Sequence, residues 1–424
     1  MAKRKKGKSK AISPKLQEAQ YRKVYTRKLI NFAEAIGVED FELIASADDL
    51  KYLFDMRVSI STLIANSDDI PLSVLKNIRE GHEKFLNEFR FSFIDPEDAN
   101  TKNRKAVTLR EFLSFGQALY FYLTNEKSPC RSEILKQRFA EYIELMESDA
   151  FPFMHMYEAL WQACLEESTL DTKMYWVDHG YKIKDMRLNN RFDLYAVRPD
   201  QKKVNIDGKW RKVLRVGWAR PLDGPEWISI DASHFGLTQS QKQISLPVYI
   251  QPHALHRMSE RLDCIDAYLQ HFHLYLTLKE PVVIENHSGQ KLIAYSYNGK
   301  RLGYLLAEVV DSIVLIRTFL FITMDRTPEG QALQETIGLE AVDKKYLAID
   351  RLSTFILSDI PNHPDIKEHF MKAGCADLFS FDTSELQPEH QFELGQFIRT
   401  YLDTNRDKTL VLPISEEISM QAAV

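Results

Sequence analysis

The sequence predicts an α+β fold: a helical N-terminal unit, a central β-rich unit, an α+β module with an antiparallel sheet and a helix packed on one face, and C-terminal helices. Three observations carry this expectation. Apolar residues recur at three- and four-residue steps up to about residue 170, as at Met154, Tyr157, Trp161 and Cys164, the spacing of one buried helical stripe. Beyond about residue 172 the texture changes to short aromatic and β-branched runs punctuated by turn residues. Between Gln243 and Gly338 the elements read in the order β-α-β-β-β-β-α, which suits an antiparallel sheet with its helix to one side.

Along the chain, the first ten residues, Met-Ala-Lys-Arg-Lys-Lys-Gly-Lys-Ser-Lys, hold too little apolar surface to offset the entropy of ordering. Residues 1–12 are therefore expected to form a disordered basic tail. A helical domain is expected over 13–170. Ser13 as N-cap, Pro14 at the first helical position and Gly37 past the last turn bracket a helix over about 14–36, and further helical patterns cover 41–93, 108–125, 131–148 and 153–168. A β-rich unit follows over 171–243, with strands at 174–183, 192–197, 213–218 and 227–230 and breaks at Asn189-Asn190, Asp207-Gly208 and Pro221 to Pro225. Trp210, Trp218 and Trp227 are expected on its inner face, with a separate aromatic binding platform as the alternative.

Over 244–338 a strand at 244–250 runs through Gln251-Pro252 into a helix ending near Leu278, and Pro281 opens a strand. Strands at 292–297 and 302–310 flank Asn298-Gly299, the dipeptide favoured in type I′ turns because both central residues need positive φ. Asp311-Ser312 is a second turn, a long apolar strand follows at 313–323, and Thr327-Pro328 caps a helix. An extension over 339–424 is expected to add three helices ending near Asp403, broken at Pro361, Pro364 and Pro388.

At 424 residues the chain has room for about two or three folded units, and 44% hydrophobic with 27% charged residues is an ordinary globular balance. Cys130, Cys164, Cys264 and Cys375 are widely scattered with no C-x-x-C pair, so buried thiols in a reducing, cytoplasmic setting are expected. No apolar core follows the basic N-terminus and no run reaches the roughly 18 apolar residues of a membrane span, so no secretory signal and no membrane partner are expected. The chain has no Walker A loop, no G-x-G-x-x-G after a strand, no G-x-S-x-G and no H-E-x-x-H, which leaves nucleotide cofactors, Rossmann redox chemistry and serine hydrolysis without support.

Charge is uneven. Residues 1–30 carry eleven Lys or Arg against Glu18 alone, a net +10, while the whole chain stands at −5. Such an arm is drawn to nucleic acid through counterion release, or serves as a solvated tail; Lys3, Arg4, Lys5 and Lys6 are its candidate RNA contacts.

The chemistry-bearing stretch is Tyr-Ile-Gln-Pro-His-Ala-Leu-His-Arg-Met-Ser-Glu-Arg-Leu, residues 249–262. Proline at helix position one puts His253 in the first turn, where the positive end of the helix dipole disfavours the imidazolium and keeps a base available near pH 7. Arg257 and Arg261 follow at four-residue steps on the same face, beside Glu260. Phosphodiester cleavage needs such a set, a group to take the 2′-hydroxyl proton and fixed positive charge where the phosphorane forms. Tyr297 before the Asn-Gly turn, Lys300 and Arg301 after it, and Arg317 in an apolar strand are further candidates, Lys300 and Arg301 as RNA contacts. Each has a structural alternative: His253 as a backbone-bonded cap, Arg257 with Glu260 as an exposed ion-pair ladder, Arg317 as a salt bridge to Glu285 or Glu308. Five of the twelve histidines, at 253, 256, 271, 273 and 287, fall in this region, but His271 and His273 point to opposite sides of a helix. His253 and His256 have no nearby acids or thiols at zinc-like spacing, so no metal or other cofactor is expected.

The run His253-Ala254-Leu255-His256-Arg257-Met258-Ser259-Glu260-Arg261 after a strand resembles the H-A-x-x-R-x-x-E-R helix of small bacterial RelE-like and BrnT-like proteins. The hairpin at Asn298-Gly299 and the strand Ile316-Arg317-Thr318-Phe319 fall where that group has its sheet, so the resemblance spans about 95 of the 424 residues. It implies a RelE-like module and a metal-independent endoribonuclease of toxin or defence type, with RNA, the ribosome or a protein such as an antitoxin as partner. His253, Arg257 and Arg261 match the motif, and Arg317 and Tyr297 match by position in the sheet. Over 244–323, however, seven Lys or Arg face seven Asp or Glu, which leaves no net charge to attract RNA. Two functions thus follow from the sequence: RNA cleavage with His253 as base and Arg257, Arg261 and Arg317 as phosphate ligands, or a non-catalytic RNA- or protein-binding scaffold using the same face.

Overall fold

A computed structural model describes residues 13–58, 63–91, 105–125, 132–148, 151–184, 187–237, 244–381 and 394–406. The basic tail, with Lys3, Arg4, Lys5 and Lys6, lies outside the described residues, as do Cys130 and Pro388. The architecture is α+β, in two compact units: Met1–Glu167 with Tyr175–Val197 and Ala219–Gly224, and Ser168–Met174 with Arg198–Trp218 and Pro225–Val424.

The first unit holds the helices α1 (Pro14–Ala35), α2 (Phe41–Ile44), α3 (Ala47–Asp55), α4 (Leu72–Glu88), α5 (Leu109–Glu111), α6 (Gln117–Thr124), α7 (Glu133–Arg138), α8 (Ala140–Ser148) and α9 (Phe151–Glu166). Its strands are β1 (Leu63–Ala65), β2 (Arg90–Phe91), β3 (Val107–Thr108), β4 (Met174–Lys184) and β5 (Arg187–Val197); β2 pairs with β3, and a three-stranded sheet runs β1-β5-β4. Helix starts follow the local chemistry: Ser13 accepts the Leu16 N–H ahead of Pro14, and Ser46 with Asp49 closes a capping box on α3. Leu29, Phe32, Phe41, Phe112, Tyr122 and Phe139 centre one core, and Ile78, Leu86, Leu160, Cys164, Phe192 and Leu194 another. Asn189-Asn190, expected as a break, instead lies within β5.

The second unit is built on one large sheet. Its strands and helices are β6 (Gln201–Ile206), β7 (Lys209–Arg215), β10 (Ser229–Asp231), β11 (Ser245–Ile250), α10 (Pro252–Arg261), α11 (Ala267–Lys279), β12 (Val283–Glu285), β13 (Lys291–Tyr297), β14 (Lys300–Val310), β15 (Ile313–Phe321), α12 (Pro328–Ile337), α13 (Ala341–Tyr346), α14 (Leu352–Leu357), α15 (Pro364–Lys372) and α16 (Leu394–Arg406). A ribbon of β8 (Gly217–Arg220) and β9 (Gly224–Trp227) has residues in both units. The sheet order is β12-β13-β14-β15-β11-β7-β6, with β10 added beside β11. All of its pairings are antiparallel except β11 with β15. The expected antiparallel sheet is therefore mixed, because the chain leaves β11 through two helices and a strand meander before returning alongside it, the crossover a parallel pair requires.

Positive-φ turns order this sheet, among them the expected turn Asp311-Ser312 between β14 and β15, with φ of 48° and 61°. Asn298 and Gly299 have φ of 48° and 76°, and Asp207 and Gly208 have 52° and 78°, so both hairpins take the two-residue turn that the right-handed strand twist favours. Asp207-Gly208 thus joins β6 to β7 rather than merely interrupting the chain. On one face of the sheet Val204, Ile206, Val213, Ile313 and Leu315 pack together, and Leu292, Tyr304, Leu306 and Leu320 form a second cluster. The opposite face carries Tyr295, whose ring meets Phe319 at 5.5 Å and whose hydroxyl donates to the Gln270 carbonyl of α11 at 3.2 Å.

Several expectations change in this unit. The domain boundaries at 171, 243 and 338 are not followed: β4 and β5 belong with the helices of the first unit, while β6 and β7 extend the sheet of 244–338 through the β11–β7 pairing. The helix expected to reach Leu278 is two, α10 and α11, and the Gln270 amide closes the break by donating to the carbonyls of Leu262 at 3.1 Å and Ile265 at 2.7 Å. Four α-helices rather than three follow residue 339 among the described residues, α13 to α16, with Pro364 opening α15. Trp218 is buried as expected of an inner face, but Trp210 is 69% exposed. Cys164 and Cys375 are buried, whereas Cys264 is exposed. Among the described residues no helix is long and apolar enough to cross a membrane.

Candidate functional site

Helix α10 starts where Pro252 follows the extended Gln251, and it turns Ala254, Leu255 and Met258 inward. His253 and His256 are exposed, while Arg257 and Glu260 are half-buried. Arg257 donates to Glu260 at 2.5 Å, and His256 Nε2 lies 3.2 Å from the same carboxylate. Burial works against the charge of Glu260, yet the Arg257 hydrogen bond and the nearby His256 and Arg261 hold its pKa below the usual carboxylate value. The pKa of His253 is lowered, first by partial burial, then by the positive charge of Arg257 and by His256, with Arg211 of β7 adding to the effect. A neutral His253 was expected from the helix dipole; the direction agrees, and neighbouring cations and burial supply the cause.

The other candidate residues go to separate places. Arg261 forms an ion pair with buried Asp350, its own side chain 13% exposed, a pairing that desolvates both charges and ties α10 to the start of α14. Arg317 sits at a β-bulge, since Leu306 pairs with Thr318 and Ala307 with Ile316, leaving Arg317 the extra residue of β15. It pairs with Glu308 at 3.4 Å and with Asp207 at the β6–β7 turn. Glu308 stands opposite Leu315, so this pair lies on the sheet face that carries Leu315 and Val204. Partial burial works against the Arg317 charge, but Asp207 and Glu308 outweigh it and raise its pKa. Of the two bridges expected for it, Glu308 is the one present. None of the groups around His253 is a partner of Arg317.

Tyr297 packs on His273 with ring centroids 4.4 Å apart, and burial raises its pKa, helped by Asp266. Lys300 donates to the Ser380 carbonyl at 2.5 Å and lies 4.3 Å from the Phe381 ring. Arg301 pairs with buried Glu329 at 2.9 Å, and its backbone N–H donates to Asp377 at 2.8 Å. Both therefore tie the β13–β14 hairpin to the C-terminal segment. Among the described residues no three His, Cys, Asp or Glu side chains are grouped to hold a metal ion.

Positive charge instead gathers on the edge hairpin, whose Arg211 acts on His253. Residues 198–215 hold seven Lys or Arg (198, 202, 203, 209, 211, 212, 215) and two acids, Asp200 and Asp207. Across the hairpin Lys203 pairs in register with Lys212 and Asn205 with Trp210, so these four side chains share one face. The other face sends Val204, Ile206 and Val213 into the core, carries Arg211 and Lys209 opposite Val204 and Ile206, and sets Lys202 over the Tyr249 ring at 5.7 Å. Among the described residues no carboxylate is within ion-pair distance of Lys203, Lys209, Arg211 or Lys212. The one acid at their turn, Asp207, is engaged by Arg317.

This surface was readable in part. Asp-Gly is a type I′ signal, and counting back from a two-residue turn places Lys203 against Lys212 and Asn205 against Trp210. Comparison of the chain with protein-family models, with curated proteins and with solved structures gives no match.

Proposed function

We propose that the second unit is an RNA-binding module that does not cleave its ligand. One observation carries the reading: Lys203 and Lys212 on one face of the edge hairpin, and Lys209 and Arg211 on the other, have no counter-charge among the described residues, and the charge of Arg211 reaches His253. Lysines on an exposed edge strand also prevent sheet-to-sheet pairing, which accounts for Lys202 and Lys203 on β6. β7 pairs with β11 only at Leu214 and Arg215, so the same edge role extends to Lys209, Arg211 and Lys212; it does not account for an exposed Trp210 in their midst. A polyanion that releases counterions from such a surface gains affinity without base contacts. Cleavage, by contrast, would need His253, Arg261 and Arg317 around one phosphodiester, and Arg261 and Arg317 are committed to Asp350 and to Asp207 with Glu308.

The test is binding of a fluorescent 20-nucleotide RNA by anisotropy over a salt series, with the RNA then run on a denaturing gel. The parent should bind, leave the RNA intact, and lose affinity linearly in log salt; Lys203→Glu with Lys212→Glu should weaken binding at least tenfold and reduce the slope by about 1 to 2. Cleavage that His253→Ala abolishes, or absence of binding, contradicts the proposal.

A further inference from the structure

Trp210 is the part of the hairpin that electrostatics leaves unexplained. It is 69% exposed within the exposed run Lys209–Lys212 of a strand that buries Val213 and Leu214, and no other large hydrophobic within 198–218 is comparably exposed. An indole in water on a rigid two-stranded element is unfavourable for folding alone, since burying it would gain the area-proportional hydrophobic free energy. Its surroundings are polar and cationic rather than apolar: Asn205 directly across, Lys203 and Lys212 one pair further along the same face. An apolar protein surface or a bilayer would call for further exposed hydrophobic groups beside it, and this hairpin offers none.

We propose that Trp210 is a base-stacking residue, and that the β6–β7 hairpin takes single-stranded RNA with phosphates against Lys203 and Lys212 and one base on the indole face. This rests on the RNA-binding reading above and narrows its ligand. The chemistry follows from what a single strand exposes. Every unpaired base has a free π-face that stacks on an aromatic side chain, whereas a duplex keeps those faces within its own stack. Lysines flanking an aromatic platform supply the backbone contacts that hold the strand over it. Asn205 places an amide, with both donor and acceptor, opposite the indole, where the edge of a stacked base would lie. The hairpin is the outer edge of the sheet, since β6 has no strand beyond it among the described residues, so the strand can be reached from the side.

The test compares parent, Trp210→Phe and Trp210→Ala by anisotropy against a 12-nucleotide single-stranded RNA, the corresponding 12-base-pair duplex, and heparin, which carries charge without bases. Thermal melting checks that all three fold alike. The proposal expects the parent to prefer the single strand over the duplex. Trp210→Ala should lose about tenfold to a hundredfold in single-strand affinity with an unchanged salt slope, Trp210→Phe should retain most of it, and heparin affinity should be the same for all. Equal affinity of Trp210→Ala and parent for the single strand overturns the stacking role while leaving the charge-based RNA reading in place. A loss equal for single strand, duplex and heparin also overturns it, because Trp210 would then only be shaping the cationic surface. Failure of the parent to bind any of the three overturns both readings and leaves the exposed indole to a protein partner.

Discussion

Lys203 and Lys212 stand directly opposite each other with no carboxylate to separate them, an arrangement that costs a pair of strands stability. A residue placed for folding would relieve that repulsion; a residue placed for a polyanionic ligand would not. The two roles predict opposite outcomes for neutralisation. Lys203→Gln with Lys212→Gln should hold or raise the stability of the protein, by roughly 0.2–1 kcal/mol in urea unfolding, while lowering RNA affinity. Loss of both stability and affinity would mean that the lysines serve the fold. Arg317 acts at the same scale from a distance: by engaging Asp207 it removes the one acid at the hairpin turn from the lysines. The charge of Arg211 reaches His253 on α10, where Arg257 is already partly neutralised by Glu260.

At the scale of elements, what could be read in advance depended on whether the signal was local. Ser13-Pro14 and Thr327-Pro328 mark α1 and α12 because capping needs only neighbouring residues, and Asn298-Gly299 marks the β13–β14 turn for the same reason. β6 was not legible, because only Val204 and Ile206 face its core and its outward positions are polar, too short an alternation to stand out. The break between α10 and α11 was hidden too, since its closure is made by one side chain, Gln270, reaching back to two carbonyls. Buried histidines make the elements sensitive to acid. His271 of α11 accepts the Leu170 N–H at 3.1 Å, and burial lowers its pKa to about 4 from the ordinary 6.5. His82 of α4 is likewise lowered to about 4, by burial and then by Arg110. A depressed folded-state value favours the neutral ring, so this stability is fully present above pH 6.5 and is lost as the pH falls toward 4. Melting temperature should decline across that window, and His271→Gln should flatten part of the decline; an equally steep fall in the variant would contradict the assignment.

For the whole molecule, the α+β class was legible and the partition into units was not. Class follows from periodicities that each segment carries by itself. The partition follows from pairings distant in sequence: β1 with β5 across more than a hundred residues, and β11 with both β7 and β15. The candidate site divided in the same way. The helical stripe of His253, Arg257 and Arg261 was visible from spacing, but the partners Asp350, Asp207 and Glu308 that occupy the arginines come from other elements. The most direct test of the central claim is ultraviolet crosslinking of the full chain to single-stranded RNA, with the crosslinked peptides identified by mass spectrometry. Crosslinks concentrated within residues 198–215, and lost on Trp210→Ala, are the expected result; crosslinks confined to residues 1–12, or to the first unit, would contradict it.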